Sequence, residues 1–278
     1  MGKVASVAVA AEVLYDVATR VARVTINRPE RRNALTWETV SALRAALARA
    51  RQDEAVRVVV LTGSGERAFC AGADLATMAV TGADVAVDHR NRGELAALFT
   101  DLWELGKPTV ARVRGAALAG GFALAVACDL VVAADDAVFA TPEIDVGLWP
   151  YLATVPLVRA MPPRRALELM MTGRRVDAAE AERTGFVTSV VPAADLDRAV
   201  DELAATLAAK PPGPLRLGRD SFYATWDLGA REALAQLHPL LTLAGMSGEA
   251  LEGTAAFAEK RPPRWAADPG GDGGEAGR

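Results

Sequence analysis

The chain has 278 residues, 51% hydrophobic and 24% charged, enough apolar material for a sizeable core in one large domain or a domain with an appendage. A net charge of -4 and a pI of about 5.4 provide no global basic field for nucleic acid, so any anion site has to be local. Two cysteines, Cys70 and Cys128, indicate no disulfide framework, and two distant histidines, His89 and His238, with no CxxC or HExxH, speak against a histidine-rich metal site.

Residues 1–12 read as a tail, and so does the Gly-rich stretch 266–278, expected to be disordered. Residues 21–27 read as a strand stopped by Arg28-Pro29-Glu30. From Trp37, the spacing of Val40, Leu43, Leu47 and Ala50 predicts a helix. Residues 56–61 form a β-branched run closed by Thr62-Gly63-Ser64-Gly65, hence a buried strand. Residues 80–93 are polar and irregular and read as a mobile loop, and Leu95, Leu98, Leu102 and Leu105 mark another helix. A short strand at 109–113 precedes glycines and an Ala-rich helix, and 130–133 and 138–140 are short strands. The run from Gly115 to Cys128 is too short and too rich in Ala and Gly for a membrane span, and the first residues lack a leader pattern. A cytoplasmic protein is therefore expected, with neither membrane nor nucleic acid as partner. Strands alternating with helices indicate α/β architecture with mainly parallel pairing. Beyond Pro162, residues 164–171, 177–184, 193–209, 213–227, 229–245 and 248–258 read as helices, with one strand near 186–191. No internal repeat is visible.

Two small-residue turns stand out. Cys70-Ala71-Gly72-Ala73-Asp74 and Ala119-Gly120-Gly121 each follow a strand and lead to a helix, where amide N–H groups lack partners and side chains leave them open. Each alone also reads as a packing turn. On adjacent parallel strands, both would lie at one sheet edge, where ligands of α/β proteins bind. Two converging donors are what a developing oxyanion requires. The third element is Thr141-Pro142-Glu143 followed by Ile144, Val146, Leu148 and Trp149. Burial there would raise the Glu143 pKa into a useful range, although Thr-Pro-Glu is also an ordinary helix start. Asp145 is the rival carboxylate.

These motifs, in order and at suitable spacing, resemble the enoyl-CoA hydratase/isomerase (crotonase) superfamily. The match rests on Asn27-Arg28-Pro29-Glu30-Arg31-Arg32-Asn33-Ala34-Leu35, Ala68 to Leu75, Gly115 to Asp129, Thr141 to Gly147, and the closing Phe257-Ala258-Glu259-Lys260-Arg261, covering about residues 13–265. The resemblance implies a spiral ββα core over 13–195, a helical oligomerisation region over 196–265, and a homotrimer or dimer of trimers. It implies an acyl-CoA substrate, no separate cofactor and no metal. Ala73 and Gly120 would donate the oxyanion hole and Glu143 would act as acid/base. Arg31, Arg32, Ala34, Ala71, Asp74, Leu75, Gly121, Trp149, Tyr151, Phe257 and Lys260 would border the CoA ester. Hydratases of the family carry a second glutamate two residues beyond the Gly-Gly pair, where this chain has Ala123. A single carboxylate suits a proton shuttle between C2 and C4, which favours double-bond isomerisation or a non-standard hydration. Two other readings stand beside it: decarboxylation or thioester hydrolysis using Tyr151 and Asp145, and a CoA-binding or scaffold protein that has lost catalysis.

Overall fold

The computed structural model describes residues 11–78 and 85–266. The large sheet has six strands, β1 (Val13–Ala18), β2 (Val21–Ile26), β3 (Val58–Gly63), β5 (Thr109–Val113), β7 (Leu130–Ala134) and β10 (Ser189–Val191), in the order β1-β2-β3-β5-β7-β10. Only the β1–β2 hairpin is antiparallel. A second sheet has the order β4 (Ala68–Cys70), β6 (Ala116–Leu118), β8 (Val138–Ala140) and β9 (Val176–Asp177), parallel except for its last pair.

The two orders share one logic. β3, β5 and β7 are neighbours in the large sheet, and the strands that follow each of them, β4, β6 and β8, are neighbours in the small one. The chain thus winds through three ββ turns, each followed by helical residues. The sequence shows no repeat, yet the fold is one. Strands of three to six residues need only short apolar runs, and such runs recur without recognisable identity.

α1 (Trp37–Gln52) buries Val40, Leu43, Leu47 and Ala50, the face expected from their spacing, and Thr36 caps its start by accepting the Thr39 N–H at 3.1 Å. β3 is buried on both faces. Val59 and Leu61 join the main core, while Val58 and Val60 pack with Leu196, Val200 and Ala204 of α8 (Leu196–Ala208). Such two-faced burial explains its unbroken β-branched run.

Of the segment 80–93, the described residues 85–93 do not form the expected loop. Residues 79–84 lie outside the described residues, and from Val85 the chain is helical through Trp103 as α3, after the short α2 (Leu75–Met78). Only Leu98, Phe99 and Leu102 are buried on α3. Its first half has no buried stripe to read and extends from the packed half, because propagation adds a hydrogen bond per residue once a nucleus exists. The hairpin strand β1 and the helix α5 (Tyr151–Ala160), with Pro156 inside it, were not expected either. The helix α4 (Gly120–Ala127) and the later helices α6 (Pro163–Thr172), α7 (Ala178–Thr184), α9 (Pro212–Thr225), α10 (Ala230–Gly245) and α11 (Gly248–Ala258) fall on the segments expected to be helical. Residues 11 and 12 are not free ends: Glu12 accepts from the Thr36 hydroxyl at 2.8 Å and pairs with Arg28 at 3.2 Å. Of the Gly-rich end, 267–278 lie outside the described residues.

α9 is fastened to the core by one carboxylate. Asp129 accepts from the Thr109 N–H at 2.7 Å, Arg219 Nε at 2.8 Å and the Tyr223 hydroxyl at 2.5 Å. Burial first, and the Asp129 charge second, push the Tyr223 phenol well above its ordinary range. Asp129→Ala leaves a buried guanidinium with two carbonyls and the Tyr223 ring but no counter-charge. We expect a loss of about 3 kcal/mol in urea unfolding, within the range for breaking buried pairs. No helix of the described residues is long and apolar enough to cross a membrane, and none of their His, Cys, Asp and Glu side chains group into a metal site.

Candidate active site

Three segments leave the carboxyl ends of β4, β6 and β8, which lie side by side in the small sheet. They are 71–74, 119–121 and 141–143, the same three that the sequence singled out.

In the first, Leu35 bridges Ala73 in parallel fashion: the Leu35 N–H donates to Gly72 O at 2.7 Å, and the Asp74 N–H donates to Leu35 O at 2.8 Å. In such a bridge the flanking peptides face the partner strand, so the Ala73 N–H is turned to the opposite side. Ala71 N–H donates to Arg32 O at 3.0 Å, which lays residues 32–35 alongside 71–74. In the second, Ala119 has φ 53 and ψ -126, a region that alanine rarely occupies and that costs about 1–3 kcal/mol. This flips the 119–120 peptide as the chain passes from strand to helix. Gly120 is the first residue of α4, where an N–H has no intrahelical partner.

The two turns are in contact. A Cβ built on Gly72, which has φ +87, would stand 2.7 Å from the Ala119 Cβ and 3.4 Å from the Gly120 nitrogen. One built on Gly121 would stand 2.2 Å from the Cys70 carbonyl oxygen. Glycine is required at both positions to let the amides approach. At Gly120 a Cβ would meet nothing within 4 Å, so that amide borders open space. The third segment is clasped to the second, since the Ala119 N–H donates to Ala140 O at 2.8 Å.

Glu143 lies in a short 3-10 turn, Pro142–Val146. Its Oε2 is buried without a hydrogen-bond partner. Burial raises its pKa, opposed only by a hydrogen bond to its own amide. The other carboxylates of these segments are occupied or turned elsewhere. Asp74 is buried and pairs with Arg28 at 3.2 Å, while its second oxygen accepts the Ala76 N–H at 3.2 Å. Asp145 lies beside Gly173 at the end of α6. Ala123, in the first turn of α4, is fully buried.

The remaining predicted residues divide. Arg31, Arg32, Ala34, Ala71, Leu75 and Gly121 all lie on these turns or the strip beside them, with Arg31, Arg32 and Leu75 exposed and Ala34 buried. Trp149 is half-buried, and Tyr151, at the start of α5, is 78% exposed. Phe257 and Lys260 are not brought to these turns by this packing: they sit on and just beyond α11, which packs on α9 and α10, and Phe257 is 87% exposed. The Asp74 side chain, expected to border the CoA, is tied to Arg28.

Sequence reading passed over two residues that hold the site. Arg28 reaches Ala34 O, Asp74 and Glu12. Asn33, with φ 55, is buried and donates to Ala68 O at 2.7 Å and Ser64 O at 2.9 Å while accepting the Arg28 N–H at 3.0 Å. An asparagine directly after an Arg-Arg turn is a left-handed signal, but its long-range partners are visible only in the fold. A cavity of about 420 Å³ elsewhere, between α9 and the core beside Trp103 and Tyr223, includes none of the three segments.

Residues 16–268 match the family described as enoyl-CoA hydratase/isomerase. A Thermus thermophilus protein named as an enoyl-CoA hydratase is 39% identical over 246 residues, covering 88% of this chain and 97% of that protein. The carnitinyl-CoA dehydratase of Proteus mirabilis is 37% identical over 253 residues, covering 88% and 94%. The crystal structure of an enoyl-CoA hydratase from Mycobacterium smegmatis superposes with a TM-score of 0.88 at 35% identity, covering 92% of this chain and 99% of that one. An enoyl-CoA hydratase from Bacillus anthracis gives 0.86 at 31% identity, covering 92% and 100%.

Proposed function

This chain belongs to the enoyl-CoA hydratase/isomerase family, and from that premise we propose that it moves the double bond of an enoyl-CoA thioester with Glu143 as its one acid/base. The observation that carries this reading is the pairing of Glu143 with Ala123. Among the carboxylates of the three segments only Glu143, itself half-buried, has a buried oxygen left without a partner, and the position expected for a second glutamate is a packed methyl.

The chemistry follows from that geometry. The Glu143 carboxylate takes a proton from C2 of a 3-enoyl-CoA. The electron pair delocalises onto the thioester oxygen, where the Ala73 and Gly120 amides hold it. Glu143, now protonated, returns the proton to C4, and the double bond lies between C2 and C3. One such amide is worth roughly 3–4 kcal/mol to the transition state. Burial of Glu143 keeps its basicity near that of a weak-acid shuttle. The exposed guanidinium groups of Arg31 and Arg32 suit the CoA phosphates, and Trp149 and Tyr151 border the acyl end. Leu234, Leu241 and Met246 on and after α10, each more than two-thirds exposed, supply the apolar surface that a trimer would cover. Decarboxylation or thioester hydrolysis through Tyr151 and Asp145 gains no support from a solvent-facing phenol and a carboxylate beside Gly173.

The test offers purified protein 3-enoyl-CoA and 2-enoyl-CoA separately. The expected result is conversion of the 3-enoyl ester to its conjugated isomer, with water addition to the 2-enoyl ester slower. Faster hydration than migration, or turnover of neither ester, overturns the proposal.

A further inference from the structure

Thr141 is fully buried, and its hydroxyl has no hydrogen-bond partner. It stands at the N-cap of the 3-10 turn, where a threonine hydroxyl ordinarily accepts from the second or third amide of the helix, yet it makes no such bond. Pro142 is the first residue of that turn and has no N–H, and the second amide belongs to Glu143, whose own carboxylate leans back onto it. The carboxylate therefore occupies the place of the cap. Two oxygens on residues two apart in the chain, Thr141 Oγ1 and Glu143 Oε2, are both buried without partners. Buried polar atoms are satisfied as a rule, so a pair of exceptions within three residues of a reacting centre needs a reason.

We propose that Thr141 is a positioning residue for Glu143: with an acyl-CoA bound, its hydroxyl donates to the Glu143 carboxylate, directly or through one water, and fixes the oxygen that faces C2. This rests on the reading of Glu143 as the acid/base. In substrate-free sites such contacts are commonly loose and tighten on binding. The clasp from Ala119 N–H to Ala140 O puts Thr141 one residue past the strand end that sets the Gly120 peptide. The charged groups around the turn are paired with one another or exposed. Asp145 lies beside Gly173, and on α6, which packs against the turn, Glu168 is paired with Arg165 and Arg174 while Arg164 is exposed. No charged side chain is among the causes of the Glu143 shift.

The experiment compares Thr141→Val, which keeps the shape and removes the hydroxyl, with Thr141→Ser, which keeps the hydroxyl, on 3-enoyl-CoA. Thr141→Val is expected to lower kcat about tenfold with KM within about twofold, and Thr141→Ser to stay within about twofold of the parent, the scale of one hydrogen bond to a charged group. In complex with a saturated acyl-CoA, the ¹³C resonance of the Glu143 carboxyl, assigned by its loss in Glu143→Gln, should titrate at higher pH in the Val variant, since a donor to the charged form is gone. Thr141→Ala serves in both measurements if Val perturbs the circular dichroism. Equal kcat and an unmoved titration, with Glu143→Gln inactive, remove the role of Thr141 alone. Full turnover by Glu143→Gln removes the reading of Glu143 beneath it.

Discussion

Glu143→Gln is expected to lower kcat/KM for double-bond migration by about 10²- to 10⁴-fold, the range for removing a positioned acid/base. Glutamine keeps the size and one acceptor but cannot take the C2 proton. The same change should stabilise the fold, with a pH dependence whose sign is set by burial. The pKa of Glu143 is raised above its ordinary 4.5, so the native state holds the proton more tightly than the unfolded chain. Below the unfolded pKa both states are protonated, and the variant gains nothing. As pH rises from there to the folded pKa, the parent loses stability because its unfolded chain releases the proton more readily, and above the folded pKa the deficit is constant. Thermal unfolding at pH 4 and pH 8 should therefore show nearly equal midpoints at the lower pH and a higher midpoint for Glu143→Gln at the upper one. In the parent, the acid limb of kcat/KM should lie above the ordinary glutamate range for the same reason. A variant that is inactive and less stable at pH 8 would mean that Glu143 is held by structure rather than reserved for chemistry.

The two glycines of Ala119-Gly120-Gly121 should respond in opposite ways. Gly121→Ala places a Cβ 2.2 Å from the Cys70 carbonyl oxygen and 2.8 Å from its carbonyl carbon, both backbone atoms of the facing turn. No rotamer change can relieve that overlap, so α4 or residues 70–73 must move. Overpacking costs about 1–3 kcal/mol and more where backbone is displaced. We expect about 3 kcal/mol, or a fall of roughly 6–12 °C in Tm for a chain of this size. Shifting one oxyanion amide by an ångström also costs about 10²-fold in rate. Gly120→Ala meets nothing within 4 Å. The free protein should keep its Tm, since alanine at a helix start is no worse than glycine. The methyl, however, enters the space an approaching thioester oxygen would use, so kcat/KM should fall without loss of fold. If Gly120→Ala is fully active, the Gly120 amide is not the oxyanion donor.

Legibility along the chain follows from what is local. The β-branched run of β3, the one-sided apolar spacing of α1 and the Gly-rich strand-to-helix turns are properties of a few adjacent residues, and the sequence reading placed all of them correctly. Ala123, where hydratases of the family carry a second glutamate, is legible in the same way. The exposed half of α3 was misread because a helix without a buried face leaves no periodic trace. Asp74 pairs with Arg28, a residue 46 positions away in the chain. No local pattern records such a partner. What brings Ala73, Gly120 and Glu143 together is the adjacency of β4, β6 and β8, strands separated by about a helical excursion each and paired edge to edge. Turn chemistry can make an amide available, but only the registry of those three strands, with Leu35 turning one peptide and Ala119 flipping the other, sets the two turns in contact.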